Sequence, residues 1–262
     1  MTSPRIYIPS SGRSHIQHTL YNLTPSLRSR VVLVVQAKEA HRYASVARHY
    51  EIDKMVVLPK HIDRIAPTRE AIFNMVDQDK FFIADDDLKF ASRTTEGSTK
   101  LTPCNNDPIM ETHINRLEGR LNTYAHVGLS ARSGNNNVDR AFKDFGRMIQ
   151  FVGYQTEPVL WAEHNRITIR SDFDLTLQLL RAGYINSVYY NMCYDSPGSN
   201  TEGGCSVFRD AALLESDAHV LAGLHPGFVK VVEKTTKADW GTGGKRTDVT
   251  VYWKKSFEKG RY

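Results

Sequence analysis

Cysteine is scarce in this chain. Only Cys104, Cys193 and Cys205 occur in 262 residues, widely spaced, odd in number and without a CxxC pair. That excludes a disulfide framework and a zinc knuckle, and leaves reduced structural thiols. Long apolar runs are also missing: nothing approaches the ~18 residues that a membrane span needs. The opening MTSPRIYIPSSGR has neither the basic start nor the apolar core of a signal peptide, so a cytoplasmic protein is expected. There are no internal repeats, no linker, no GxGxxG fingerprint and no Walker loop.

What is present is an ordinary globular composition, 40% hydrophobic and 24% charged. Lysine plus arginine number 34 against 29 acidic residues, a net charge of +5. This balance suits a polyanionic partner without requiring one. The length accommodates one sizeable α/β domain, and residues 1–262 are read as such.

The hydrophobic pattern alternates between strand and helix. Residues 5–9 read as a strand, followed by a Ser-Ser-Gly-Arg loop and a helix from about Ser14. Residues 31–36 form a β-branched run of the kind buried in parallel sheets. A helix over 38–50, a short strand over 55–59, a helix over 67–76 and a strand over 81–84 follow. Short connections between such elements imply a largely parallel sheet with helices on both faces. In the second half, 91–108, 130–140 and 195–204 read as loops, 108–121 as a helix, 185–190 as a strand and 206–219 as a last helix. Residues 171–183 read as a helix capped by Ser171 or Asp172 and stopped by Gly183.

Several residues carry chemistry. The apolar strand FFIA delivers Asp85, Asp86 and Asp87 to its carboxyl end, where ligands bind in open α/β sheets. Three adjacent carboxylates repel one another, and a hard divalent cation relieves that repulsion. Without a ligand, the same triplet would be an acidic turn. Arg69, in a helix-opening Pro-Thr-Arg-Glu segment, can form a fork to phosphate or pair with a surface carboxylate. The turn Pro9-Ser10-Ser11-Gly12-Arg13 lets backbone amides approach a ligand, or is simply a tight turn. Asp172 stands at a helix start, where a general base or a cap would sit, whereas Asp174 reads as a structural first-turn acid. His225, in a Leu-His-Pro-Gly turn, is a candidate extra metal ligand.

Together these features resemble the GT-A glycosyltransferases, in which a nucleotide-binding strand and turn, a DxD motif after a central strand and an acidic motif opening a later helix occur in this order. Asp172-Phe173-Asp174-Leu175 with Leu179-Leu180-Arg181-Ala182-Gly183 matches the later motif, with Ser171 where glutamate is usual. The segments IPSSGR, PTREAIFNMV, FFIADDDLKF, VGLSARSGNNN, RSDFDLTLQLLRAGY and HPGFVKVVEK are similar to the phage TET/JBP-associated glycosyltransferases, which are thought to glycosylate hydroxymethylated pyrimidines in DNA.

The resemblance implies a GT-A fold, Rossmann-like, with residues 1–90 binding a nucleotide-diphosphate sugar, UDP-glucose-like, and 91–262 binding the acceptor. Pro9, Ser10, Gly12, Arg13, Arg69, Asp85 and Asp86 would contact the donor. Asp85, Asp87 and His225 would hold manganese or magnesium, and Asp172 would serve the acceptor hydroxyl. The acceptor implied is 5-hydroxymethylcytosine or a related base in DNA, in the host cytoplasm for a phage-encoded enzyme. Arg132, Asn135, Tyr194, Ser199, Asn200 and Lys230 are the candidate acceptor contacts. The other readings are a GT-A transferase acting on a glycan or small acceptor, a nucleotidyltransferase, and a non-enzymatic DNA-binding module.

Overall fold

The computed structural model describes residues 3–95, 97–133, 138–197, 209–236 and 243–261. Within them, the first half alternates as expected: β1 (Arg5–Ser10), α1 (His18–Asn22), α2 (Pro25–Arg28), β2 (Val31–Gln36), α3 (Ala40–His49), β3 (Lys54–Leu58), α4 (Ile65–Met75) and β4 (Lys80–Ala84). The first helix begins at His18 and not near Ser14, because residues 11–17 are a turn that folds back over the end of β1. The second half holds β5 (Lys89–Arg93), β6 (Leu101–Pro103), α5 (Ile109–Arg120), β7 (His126–Ala131), β8 (Phe142–Asp144), β9 (Phe151–Gln155), α6 (Thr156–Trp161), α7 (Ser171–Arg181) and β10 (Asn186–Asp195). It ends in α8 (Ala211–Leu224), the hairpin β11 (Val229–Thr235) and β12 (Lys245–Val251), and α9 (Trp253–Lys259).

The main sheet has the order β3-β2-β1-β4-β9-β7-β10-β5-β6, with β8 also on β10. Strands β1 to β4 pair in parallel. Strand β9 is antiparallel to both β4 and β7, so β7 and its parallel neighbour β10 point the same way as β1 to β4. The segment 91–108, expected as a loop, holds the end of β5 and all of β6, which pair antiparallel, with β6 at the sheet edge. Both strands are short, five and three residues, too short for a clear alternation to show.

The period of two along each central strand separates two cores. Ile6, Ile8, Val31, Leu33, Phe82 and Ala84 face α1, α2, α3 and α5. Tyr7, Val32, Val34, Phe81 and Ile83 face α4, α6 and α7. A third cluster joins Phe173 and Leu177 of α7 to Ala218, Leu221, Val229 and Val249. The carboxyl-terminal hairpin thus rests on the helix that carries Asp172.

The register places the crevice. Strand β1 stays paired with β2 as far as Ser10 and Val35, but its pairing with β4 ends at Tyr7 and Ile83. Pro9 has no N–H to donate, and the two strands part just where the strand order reverses, the position at which open α/β sheets bind ligands.

Candidate active site

The acidic triplet follows β4 directly and is held by backbone. Asp85 N–H donates to the Gln150 carbonyl at 2.8 Å. Thr19 clasps the turn from the other side. Its hydroxyl donates to the Asp85 carbonyl at 2.6 Å and accepts from Leu88 N–H at 2.9 Å, and its own N–H donates to the Asp86 carbonyl at 3.0 Å. The three side chains are therefore aimed separately.

Asp86 turns inward and is 4% exposed. Ser10 Oγ donates to it at 2.5 Å, and Arg13 Nη1 lies 2.6 Å from its other oxygen. Burial pushes its carboxyl above the ordinary range, opposed by Arg13 and Ser10. The same Arg13 nitrogen lies 3.0 Å from Asp87 Oδ2. The β1 turn is thus organised around the triplet. Ser10 also bonds Tyr43 and Gln17, while Ser11 Oγ and Gly12 N–H donate to Glu39. Gly12, at φ 71°, adopts the left-handed backbone expected of it, but its amide is engaged by Glu39.

Asp85 reaches towards α4. Arg69 Nη2 lies 3.5 Å from its Oδ1. Burial pushes its carboxyl up to about 7, opposed by Arg69 and reinforced by Asp87, Asp86 and Asp172. That last influence brings α7 into the site: Asp172, eighty-seven residues on, lies close enough for its charge to be felt at Asp85. Arg69, Asp172, Tyr154, Phe73, His164 and Asn165 line one cleft between α4 and α7. Asp172 has no hydrogen bond or ion pair among the described residues, which leaves its carboxylate open to a ligand.

The local backbone explains how α7 starts. Ser171 is its first residue, and the cap position belongs to Arg170, at φ 65° and without a side-chain cap bond. Such a conformation is uncommon for arginine. It is fixed by Arg170 bonding the Leu214 carbonyl at 2.9 Å and by Ile169 N–H donating to Asp217 at 2.5 Å. The expected side-chain cap is replaced by ties to α8.

Asp174 is structural, as its place in the first turn suggests. It is 3% exposed and accepts from Arg166, Gln178 and His225. Burial would raise its pKa, but the bonds from His225 and Arg166 hold it below the ordinary range. His225, the candidate extra metal ligand, is 0% exposed. Its Nε2 bonds Asp174 at 2.7 Å, and its Nδ1 lies 3.3 Å from Arg181. Both ring nitrogens are engaged, one by Asp174 and one by Arg181, and these contacts help fix α7.

Metal fit rests on the triplet itself. Asp87 Oδ1 is buried without a hydrogen-bond partner among the described residues, an acceptor that a cation would satisfy. No three His, Cys, Asp or Glu side chains among the described residues form a complete cage. Magnesium and manganese commonly take one or two carboxylates and complete the shell with substrate oxygens and water, so the donor set is of the right kind.

The candidate acceptor residues are scattered. Tyr194 is 3% exposed and packs in the core. It offers no open face for stacking a base, although its hydroxyl lies in the field of Arg147, Asp85 and Asp172. Arg132 pairs loosely with Asp195 at 3.6 Å, and Lys230 is exposed on β11. Asn135, Ser199 and Asn200 lie outside the described residues. The sequence reading passed over Tyr154, Thr19, Tyr43, Gln17 and Glu39. The alternation in FVGYQ, which puts Val152 and Tyr154 on one face, was the signal for the first of these.

Comparison with known proteins bears on the family and the fold. Residues 4–204 match the family described as TET-Associated Glycosyltransferase. No curated protein matches the chain. The S. aureus TarS 1–349 fragment in complex with UDP-GlcNAc is similar with a TM-score of 0.54 at 10% identity, over 86% of this chain and 67% of that one. In its complex with UDP, the chain spans 66% of the same fragment. Glucosyl-3-phosphoglycerate synthase from Mycobacterium tuberculosis, in complex with Mg2+ and UDP, has a TM-score of 0.53 at 10% identity over 95% and 87% of the two chains. At that identity the shared feature is the fold, which is GT-A.

Proposed function

The chain belongs to the TET-associated glycosyltransferases, and on that premise we propose that it transfers a hexose from a nucleotide-diphosphate sugar, UDP-glucose-like, to the hydroxymethyl oxygen of a 5-hydroxymethylpyrimidine in DNA, 5-hydroxymethylcytosine first. The observation that carries the reading is that Arg69 of α4 and Asp172 of α7 line one cleft while Arg69 also reaches Asp85, just after β4, at 3.5 Å. A transferase needs both ends of this arrangement, a place for the leaving diphosphate and a base for the incoming oxygen.

In this reading Asp85 and Asp87 hold manganese or magnesium, which would neutralise the charge gathering on the departing diphosphate. Arg13 and Arg69 border the same place from β1 and α4 and add fixed positive charge to the leaving group. A hydroxymethyl oxygen is a weak nucleophile near neutral pH. Asp172, open to the cleft, takes its proton as the bond to the sugar carbon forms. A base in duplex DNA has to leave the stack to present that oxygen. The net charge of +5 favours a polyanionic acceptor.

The test is product formation on hydroxymethylated and unmodified duplexes with UDP-glucose and manganese, read by mass spectrometry at two salt concentrations. A hexose adduct confined to the hydroxymethylated duplex, with binding that falls steeply as salt rises, is the expected result. Robust transfer to a saccharide with no adduct on either duplex would move the acceptor to the glycan reading. The fold occurs with UDP-GlcNAc bound in TarS and with UDP bound in the synthase, which supports a nucleotide-sugar donor.

A further inference from the structure

The cleft holds a polar group that the chemistry above leaves unused. Tyr154 lies on β9, between Phe81 of β4 and His126 of β7. Its ring is locked against Phe81 and Phe73, with centroids 5.6 and 5.8 Å away. The residue is 5% exposed, yet it lines the cleft together with Arg69 and Asp172. No hydrogen-bond partner meets its hydroxyl among the described residues. Unlike the sealed hydroxyl of Tyr7, that of Tyr154 stays accessible in the cleft, where a bound molecule can supply the partner that a tyrosine hydroxyl ordinarily finds.

The lining says what kind of molecule that is. Ala66, Phe73, Leu175 and the Tyr154 ring supply an apolar wall. Asp172, Glu163 and Asn165 supply hydrogen-bonding groups, and no lysine faces the cleft. Asp174 is already committed to Arg166 and His225. Arg69 alone of the lining residues is a permanent cation, against Asp172 and Glu163, so away from Arg69 the cleft suits an uncharged, hydroxyl-rich group better than a phosphate. Tyr154 shares the cleft lining with Arg69, which reaches Asp85, and with Asp172, the candidate base. A sugar carbon must lie there if the diphosphate is held at one end and the acceptor oxygen at the other. Burial keeps the phenol protonated, with Asp172 and Asp85 pushing the same way against Arg69, so it is a hydrogen-bond donor at any working pH.

We propose that Tyr154 is a substrate-binding residue of the transfer reaction, its hydroxyl donating to an oxygen of the transferred sugar ring in the cleft between α4 and α7. The assignment rests on the nucleotide-sugar reading of the site. Tyr154→Phe removes one oxygen and keeps the ring that packs on Phe73 and Phe81.

The experiment is calorimetric titration of wild type and Tyr154→Phe with UDP and with UDP-glucose, both with manganese, beside a thermal-unfolding control. Wild type is expected to bind UDP-glucose more tightly than UDP. Tyr154→Phe is expected to bind UDP like wild type but to lose up to ~10-fold in affinity for UDP-glucose, the range for one hydrogen bond to a ligand. Equal affinities of wild type and variant for UDP-glucose overturn the assignment, and so does a parallel loss for both ligands. Unchanged UDP-glucose affinity with weakened binding of hydroxymethylated DNA also overturns it, and gives the cleft to the acceptor base. Failure of wild type to bind UDP at all defeats the nucleotide-sugar reading itself, a separate outcome.

Discussion

Asp174 Oδ1 and His225 Nε2 lie 2.7 Å apart, both buried, and this bond ties the end of α8 to the first turn of α7. The histidine donates through Nε2 and accepts from Arg181 through Nδ1. The bond sets the angle at which Asp172, two residues before Asp174, enters the cleft. His225→Ala is expected to destabilise the fold by about 2–3 kcal/mol, because Asp174 keeps Arg166 but loses one of its buried donors. Urea unfolding measures the loss. Manganese affinity of the folded variant should equal that of wild type. A large fall in that affinity without loss of stability would return His225 to the metal site.

Asp172 offers a sharper contrast. Its carboxylate has no hydrogen bond or ion pair among the described residues, and the cap position before α7 belongs to Arg170. Asp172→Asn is therefore expected to leave thermal stability and UDP affinity close to wild type while turnover falls ~10²-fold or more, the usual scale for loss of a general base. If turnover survives and the melting temperature drops, the residue serves only the dipole of α7.

Asp87 is the third case. Its Oδ2 is held by Arg13, and its Oδ1 is buried without a partner. Asp87→Ala should abolish manganese-dependent transfer and lower manganese affinity while the chain stays folded. Titration of the metal by calorimetry and circular dichroism of the variant check both halves. Full activity of wild type in EDTA would dismiss the metal reading altogether.

These contrasts mark what the sequence makes legible. The strand FFIA running into three aspartates was readable because an apolar run and an acidic stop have no ambiguity of period. The same holds for α7, whose apolar residues recur on the helical period up to Gly183. Roles were harder to read than positions. Asp85, Asp86 and Asp87 look equivalent in sequence, but the fold gives Asp85 to Arg69, Asp86 to Ser10 and Arg13, and leaves Asp87 on Arg13 with one oxygen unpartnered among the described residues. His225 carried the right residue type for a ligand and was claimed by Asp174 and Arg181, partners 51 and 44 residues away. The alternation in FVGYQ marks the buried face of Tyr154, but its place beside the cleft follows from the antiparallel pairing of β9 with both neighbours, which no local pattern announces. Gly153, beside it, exists for the same reason: a Cβ there would come within 2.5 Å of the Phe82 ring.

Two further histidines govern acid stability. His113 is 5% exposed and bonds Tyr189, and His126 is 0% exposed and bonds the Tyr184 carbonyl. Burial pushes both down to about 4, helped at His113 by Arg116 and opposed at His126 by its bond to Tyr184. In the unfolded chain each takes up a proton near its ordinary 6.5. Their contribution to stability is therefore complete above pH 6.5 and is lost as pH falls from 6.5 towards 4, at up to ~1.4 kcal/mol per pH unit for each group. Asp85 acts in the opposite sense. Its raised pKa means the fold holds a proton that the unfolded chain releases between about 4 and 7, so in the metal-free protein it gains stability as pH falls and masks one histidine. Comparing wild type with His126→Gln at each pH cancels the Asp85 effect. The stability difference between the two should be largest above pH 6.5 and shrink steadily down to pH 4, as read by urea midpoints at half-unit intervals. A difference that stays constant across that range would mean His126 takes up its proton as readily in the fold as in the unfolded chain, against its burial.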